Sequence, residues 1–341
     1  DASAGIVVTA ANLTLDNTGA GNSNLNRVAN TVPVSLASGT LLFRGADPAS
    51  SNSTALINST ETIGTLTLAG GLSTVTAQFN ATNAATLTID NLVRTNGGVA
   101  LVNGVNLGRN ATDTASVGRI FLTAAPALVG TTDALDTGIN AAVKNTKIVP
   151  YLFGEAPFTT GLPGTAGGTF GTFVTYSATG GLRPLNPVDE LSGTLTAGDN
   201  ISLTAAAAQA ANLSVNALRL GGTGAFAVTQ AGNTLNVASG TILSANTVGV
   251  TISGGTRDFG AQDAIVAVRE TNAPLTVSSA VTGSGGLTKF GAGQLVLSGT
   301  NTFTGALNVA GGTVSLGSAS AFPVATATSV YGGSLDVGTG A

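Results

Sequence analysis

Short strings of alternating apolar and small polar residues recur along this chain of 341 residues, and most are followed by glycine or asparagine. Such period-two alternation predicts β-strands that bury one face. Equivalent positions recur at steps of about 20 residues, which one coil of a parallel β-solenoid with two or three short strands requires. These steps run from Leu66 to Leu87 to Leu107, from Leu275 to Leu295, from Leu287 to Leu307 and from Val314 to Leu335.

The composition supports an all-β parallel solenoid. Each strand of a solenoid pairs with the equivalent strands of the coils above and below, about 4.8 Å away, so neighbouring coils satisfy the backbone groups. Like side chains then stack on like side chains, and stacked charges repel each other. Only 8% of the residues are charged, compared with about 25% in an average soluble domain. The 48 glycines fit the tight corners between strands.

The residue types that are absent exclude several functions. The chain has no Cys and no His, which removes thiolate nucleophiles, histidine bases and zinc sites built on these ligands. Its net charge of −4 gives no basic surface for nucleic acid. No apolar run approaches the length of about 20 residues that a membrane-spanning helix needs, so we expect no transmembrane segment. The first residues contain no leader pattern, so we expect either processing or a longer parent chain.

Three regions are predicted along the chain. Residues 1–132 and 191–341 are expected to form solenoid coils, and residues 133–190 an insertion on the side of the solenoid. The insertion begins with a weak helical pattern over Asp133 to Lys147. It continues with proline- and aromatic-rich loops, because proline cannot donate to a central ladder. Its aromatic residues predict a surface that contacts a partner, and the candidate contacts are Tyr151, Phe153, Phe158 and Tyr176.

The composition leaves catalysis by carboxylates, Tyr, Lys, Arg and hydroxyl groups, and the clustered acidic residues are the candidates to test. They are Asp133 with Asp136, Asp189 with Glu190, and Asp258 with Asp263. Glycosidases use two carboxylates about 5 to 10 Å apart across a groove. Around these pairs we find no aspartate doublet, histidine or basic cluster of the kind that pectin-cleaving β-helices have. Calcium-binding motifs are also absent. Helix capping and loop solvation are the favoured interpretations, so we predict no catalytic residue, no metal site and no cofactor.

A longer motif lies near the C-terminal end of the sequence. The span 283–305 has the sequence GSGGLTKFGAGQLVLSGTNTFTG. It resembles the autotransporter-associated β-strand repeat, a passenger-domain repeat of large bacterial secreted and surface proteins. The motif positions are Gly286, Leu287, Lys289, Gly291, Gly293, Leu295, Leu297, Gly299, Asn301, Phe303 and Gly305.

This resemblance implies a right-handed parallel β-helix outside a bacterial cell, as part of a long passenger or fibre. It carries over no catalytic residue, because the repeat motif is structural. Lys289 is the one charged position in the motif. We expect it to be a solvated cation at a corner of the solenoid.

Three functions remain open at this point. The favoured one is a non-enzymatic extracellular stalk or fibre shaft whose coil ends associate into filaments, because open strand edges can pair with another copy. The second is an adhesin that contacts a glycan or a cell surface through the aromatic segment 151–187. The third is a carbohydrate-active enzyme. Self-association and surface glycans are therefore the predicted partners.

Overall fold

The computed structural model describes residues 5–18, 27–45, 59–79, 84–108, 117–134, 143–155, 171–323 and 327–338. These residues contain thirty β-strands and no helix, which confirms the all-β class. The chain divides into two compact units. Unit 1 comprises Asp1–Leu128, Asp133–Ile139 and Leu152–Leu185, and unit 2 comprises Val129–Thr132, Asn140–Tyr151 and Asn186–Ala341.

Unit 1 alternates between two sheets along the chain. Sheet 1 has the order β1-β3-β5-β7-β9, and sheet 2 has the order β2-β4-β6-β8-β10-β11-β12. Only the pairs β10/β11 and β11/β12 are antiparallel among the paired strands described here. The strands are β1 (Ile6–Thr9), β2 (Asn12–Asp16), β3 (Val34–Ala37), β4 (Thr40–Arg44), β5 (Ser59–Leu68), β6 (Leu72–Gln78), β7 (Ala85–Arg94), β8 (Val99–Gly104), β9 (Gly118–Leu122), β10 (Leu152–Gly154), β11 (Thr172–Ser177) and β12 (Gly181–Pro184).

Unit 2 visits three sheets in turn. Sheet 3 has the order β13-β16-β19-β22-β25-β27-β29, sheet 4 has β14-β17-β20-β23-β26-β28-β30, and sheet 5 has β15-β18-β21-β24. The strands are β13 (Asn200–Leu203), β14 (Ala207–Ala208), β15 (Leu213–Val215), β16 (Ala217–Leu220), β17 (Phe226–Thr229), β18 (Thr234–Val237), β19 (Thr241–Ser244), β20 (Val250–Ser253), β21 (Thr256–Asp258), β22 (Ala264–Val268), β23 (Leu275–Val277), β24 (Ala280–Thr282), β25 (Leu287–Phe290), β26 (Gln294–Leu297), β27 (Leu307–Val309), β28 (Gly312–Leu316), β29 (Thr328–Val330) and β30 (Gly333–Asp336).

The paired strands stack like residues on like residues, as a solenoid requires. In sheet 4, Leu275 pairs with Leu295, which pairs with Val314, which pairs with Leu335. The parallel sheets confirm the β-solenoid class. The paired positions in this part of the chain follow the predicted step of about 20 residues.

The coils of unit 1 are longer than this step. Leu66 pairs with Leu92 rather than with Leu87, and Leu87 pairs with Ile120. Both partners lie further along the chain than the repeated step predicts, and the two spacings differ from each other. Strand register depends on backbone pairing and on the buried face, so the length of the connections can vary from coil to coil without changing it.

The predicted insertion contains regular structure where it is described. Strand β10 pairs in parallel with β8, and the hairpin of β11 and β12 extends the same sheet. The predicted helix over Asp133 to Lys147 has its central residues 135–142 outside the described part of the chain. The boundaries at 132 and 190 stay a prediction.

Candidate functional site: buried polar groups of the solenoid

The motif identified in the sequence lies in the last coils of unit 2. Its apolar positions Leu287, Leu295, Leu297 and Phe303 are at most 2% exposed and belong to the core of this unit. The leucines stack on equivalent residues of the adjacent coils, as in the pairing of Leu287 with Leu307. These motif residues therefore have a structural role in the interior.

Lys289 is buried, contrary to the expectation of a solvated corner. Its ammonium Nζ donates to the backbone carbonyls of Gly291 at 2.6 Å, Gly293 at 2.5 Å and Gly311 at 2.9 Å. The side chain has no exposed surface. The expectation fails because the corner between β25 and β26 turns its carbonyls inward. Because three carbonyl acceptors lie on the buried side, the long side chain of Lys289 extends into the interior of the solenoid and not toward solvent.

Two glycines make room for this ammonium group. Gly291 has φ of 81°, a left-handed conformation that favours glycine. A Cβ on Gly312, which follows the third acceptor, would collide with Nζ of Lys289. Burial lowers the pKa of Lys289 from 10.5 to about 7. The corner is therefore built around a lysine that loses hydration and gains three carbonyl acceptors.

The other motif glycines lie where adjacent coils approach closely. A side chain there would overlap backbone atoms of a neighbouring coil, or of the adjacent turn. These residues are Gly286, Gly293, Gly299 and Gly305.

Asn301 links three consecutive coils through its side-chain amide. Its Oδ1 accepts from the backbone N–H of Val281 at 2.9 Å, and its Nδ2 donates to the backbone carbonyl of Ala321 at 2.5 Å. The residue is 4% exposed. One amide therefore satisfies a donor in the preceding coil and an acceptor in the following one.

The predicted aromatic contact surface is largely internal. Phe153 has no exposed surface and its ring lies 6.5 Å from that of Phe173. Tyr176 is 8% exposed, and its hydroxyl donates to the backbone carbonyl of Leu122 at 2.6 Å. A surface role for these two residues is wrong, because the strands that carry them continue sheet 2. Tyr151 is half-buried, and Phe158 lies outside the described residues.

The acidic pairs act in turns and polar rows where they are described. Glu190 Oε2 accepts from the backbone N–H of Asn186, and Asp189 Oδ2 accepts from the Asn186 side chain. Asp263 Oδ2 accepts from the Thr288 hydroxyl at 2.7 Å. Asp136 lies outside the described residues. Within the described ranges, no group of three potential metal-ligating side chains comes together.

Asp258 belongs to an outward-facing polar row along sheet 5. Ser214 Oγ donates to Asn236 Oδ1 at 2.9 Å, and Thr282 Oγ1 donates to Asp258 Oδ1 at 3.0 Å. Asn236 Nδ2 lies 3.4 Å from Asp258 Oδ2. The four residues occupy paired register positions in successive coils. The outer polar groups therefore bond to one another, as stacking predicts.

Arg257 is one of the buried charges that were not predicted from the sequence. Arg257 is completely buried, at the register position that Leu235 occupies in the preceding coil. A signal was available, because the strings Thr234-Leu235-Asn236 and Thr256-Arg257-Asp258 align position by position. This alignment places the arginine on the inward face.

Comparisons with known proteins relate the chain to autotransporter passengers. Residues 287–316 match the passenger-associated-transport-repeat family. The chain is 31% identical over 288 residues to the "Adhesin BmaC autotransporter" of Brucella suis biovar 1 (strain 1330), an alignment that covers 76% of this chain and 8% of that protein. The chain thus corresponds to a small fraction of the length of this relative. No solved structure matches. In the described part of the chain, no helix is both long enough and apolar enough to cross a membrane.

Proposed function

Since this chain is an autotransporter passenger repeat protein with an extracellular or cell-surface location, we propose that it is a non-enzymatic spacer segment. In this role it holds other parts of a longer passenger away from the cell. The observation that carries the proposal is the continuous parallel register of unit 2. Sheets 3 and 4 each contain seven paired strands.

The ladder makes unit 2 stiff along the stacking direction. Seven strands with spacings of roughly 4.8 Å give a ladder of about 29 Å. Each coil is joined to the next by backbone hydrogen bonds and by stacked apolar residues. The side chain of Asn301 and the outward polar row of sheet 5 form their hydrogen bonds within the solenoid.

Rigidity is testable because the chain has no cysteine, so introduced cysteines are labelled selectively. Ser214 and Thr302 are exposed positions in unit 2. Spin labels on S214C/T302C in the full chain should give a narrow distance distribution by pulsed electron paramagnetic resonance. A broad distribution, with the strand signal of circular dichroism intact, would contradict a spacer.

A second candidate is adhesion by this segment itself, which is favoured by the similarity to an adhesin of Brucella. A spacer and an adhesin differ in what the isolated chain does. The spacer predicts no saturable binding of the labelled chain to cultured epithelial cells or to immobilised glycans. Saturable binding that unlabelled chain competes away would establish the adhesin instead.

We also propose that this chain associates with a second copy of itself through apolar residues on the surface of unit 2. Val330, Tyr331 and Val337 are 50%, 37% and 52% exposed. Exposed apolar residues close together on strands favour contact with another chain. Sedimentation velocity should show association that rises with concentration and falls in V330K/V337K. A monomer at millimolar concentration would refute the pairing.

A further inference from the structure

The first coil of unit 2 contains three strands, and each pairs with a strand of the following coil. Strands β13, β14 and β15 pair with β16, β17 and β18. All of them lie within the continuously described range 171–323. The side of β13, β14 and β15 that faces away from the next coil is a strand edge, and its backbone groups need partners from outside the ladder.

The chain itself supplies partners for the outer edge of β13. The N–H of Asn200 donates to the carbonyl of Lys144 at 2.7 Å, and the carbonyl of Asn200 accepts from the N–H of Ser192 at 2.8 Å. The N–H of Ser202 donates to the carbonyl of Ser192 at 2.8 Å. Residues of unit 2 therefore close this edge.

The outer edge of β15 is closed in the same way. The carbonyl of Ser214 accepts from the N–H of Gly198 at 2.9 Å. The N–H of Asn216, directly after the strand, donates to the carbonyl of Asp199 at 2.8 Å. The strands before and after β14 are thus both covered by backbone of this chain.

Strand β14 has no such cover. The N–H of Gln209 donates to the carbonyl of Thr229 in the next coil at 2.8 Å. Backbone groups alternate in direction along a strand, so the N–H and carbonyl groups of Ala206 and Ala208 point the other way. Ala205, Ala206 and Ala208 are exposed. In the part of the chain that the structure describes, no group bonds to Ala206 or Ala208 from this outer side.

The edge of β14 also lacks the residues that usually protect strand edges. Proteins protect exposed edges with lysine, other charged side chains or proline. Neither a charged residue nor a proline occurs between Asp199 and Arg219. Ala207 pairs with Val228, which pairs with Ile252, so the column of side chains in sheet 4 begins with a small residue at this edge. The edge therefore has room for a larger apolar side chain.

We propose that the edge of β14 binds one uncharged, extended segment of a partner protein, which adds to sheet 4 as a further strand. Main-chain hydrogen bonds to Ala206 and Ala208 hold the segment, and one of its apolar side chains packs on Ala207. The opening is one strand wide, because Ser192 and Gly198 cover the neighbouring edges, so a whole coil of a second copy cannot stack there. A charged segment would lose hydration without gaining a charged partner.

A peptide with the sequence of residues 224–231 is a suitable probe. It contains the sequence of β17, which already pairs with β14 from the other side. The fluorescence anisotropy of the fluorescein-labelled peptide should rise saturably on titration with the full chain. An anisotropy that does not saturate, or does not change, would overturn the proposal.

N-methylation of the peptide separates strand pairing from non-specific apolar contact. Alternate amides of a strand face its neighbour. Methylation of the amide at one of the two positions Val228 and Thr229 of the peptide should therefore abolish binding, and methylation at the other should leave it unchanged. Equal effects at the two positions would refute strand pairing.

Two variants of the full chain locate the edge. A208P removes an N–H that faces the partner, and proline is tolerated at such an edge position. It should lower the affinity for the peptide about tenfold, which corresponds to one lost hydrogen bond. A208V is the matched control, because it keeps the N–H and should bind as the wild type does. Unchanged binding to A208P with an intact strand signal in circular dichroism would contradict the site.

Hydrogen exchange decides if A208P does not fold. In the wild-type chain, the peptide should slow amide exchange in the segment 204–209, and exchange that stays unchanged there would overturn the proposal. Sedimentation velocity tests a second copy as the occupant. A208P should leave the association of the chain with itself unchanged. Self-association that A208P abolishes would assign this edge to a second copy instead.

Discussion

In the coils of unit 1 and in the last coils of unit 2, a buried charged side chain bonds to backbone groups, and the two charges have opposite signs. In unit 1, both carboxylate oxygens of Glu61 accept from backbone N–H groups, those of Arg27 at 2.9 Å and Val28 at 3.1 Å. In unit 2, Lys289 donates to three carbonyls. Both side chains have no exposed surface. These two buried charges therefore bond to backbone groups that are not paired in the sheets, and the sign of each charge matches the groups that it meets.

The two regions also differ in the lengths of the connections between their strands. In the last coils of unit 2 the paired positions keep a step of about 20 residues, and the motif fills the corners. In unit 1 the connection between β4 and β5 runs from position 45 to position 58, which is longer than either strand. In the short coils, both the length and the residue types of the corners are therefore constrained. In the longer coils, only the strands are constrained.

A one-residue insertion should give the largest difference in stability loss between the two regions. A glycine inserted between Gly293 and Gln294 shifts the face of β26, which turns Leu295 and Leu297 outward. We expect a loss of about 4 kcal/mol in the free energy of unfolding by urea titration. The same insertion in the connection between β4 and β5 should cost less than about 1 kcal/mol. Equal losses would mean that the two kinds of coil are equally constrained.

Removing the buried ammonium should have the next largest effect. K289M leaves the carbonyls of Gly291, Gly293 and Gly311 buried without their donor. We expect a loss of about 3 kcal/mol in the free energy of unfolding. Apolar residues can replace buried ion pairs without a loss of stability. If K289M were likewise as stable as the wild type, the corner would not need the hydrogen bonds of Lys289.

The side-chain amide of Asn301, which joins three coils, should contribute somewhat less to the free energy of unfolding than Lys289 does. N301A removes the acceptor of the Val281 N–H and the donor to the Ala321 carbonyl. The expected loss is about 2 kcal/mol in the same urea titration. The neighbouring exposed Thr302 provides the control, because T302A should change stability by less than about 0.5 kcal/mol. Similar values for both variants would contradict a coil-linking role for Asn301.

The carboxylate of unit 1 is tested by an almost isosteric change. E61Q replaces one acceptor oxygen with an amide that faces a backbone donor. We expect a loss of about 1.5 kcal/mol, since one of the two hydrogen bonds to Arg27 and Val28 is kept. E61A should cost more than E61Q. No loss in E61Q together with a large loss in E61A would show that packing, and not acceptance from the backbone, is what Glu61 contributes.

A pH dependence of stability should identify the contribution of Lys289. The pKa of Lys289 is about 7 in the folded chain and 10.5 for an ordinary lysine, so between these values the unfolded state binds more protons. The free energy of unfolding should then rise with pH, by about 1 kcal/mol from pH 7 to pH 8. Urea titrations of wild type and K289M should differ by this slope. Parallel pH profiles would show that the pKa of Lys289 is not lowered.

Much of the fold is predictable from strands and spacing. Period-two strings identify Leu295 and Leu297 as inward residues, and the step of about 20 residues gives the pairing of Leu287 with Leu307. The same reasoning fails for Leu66, whose partner is Leu92. The connections in that part of the chain do not repeat in length, so counting residues cannot find the register there.

Side chains at corners and inside the column are harder to predict. The sequence predicts that Lys289 is exposed to solvent, because it is charged. It also predicts that Phe153 and Tyr176 lie on the surface, because their neighbourhood is rich in proline. Their burial follows from acceptors and strands supplied by residues far apart in sequence, such as Gly311 for Lys289 and Leu122 for Tyr176.

The order of residues alone establishes that this chain is a β-solenoid with a passenger-type repeat, because the alternation within strands and the motif at 283–305 are local signals. Which charges lie inside depends instead on the stacking of the coils, since a corner becomes donor-rich or acceptor-rich only when its neighbours lie against it. Lys289 and Glu61 are buried beside such backbone groups and find their hydrogen-bond partners in them.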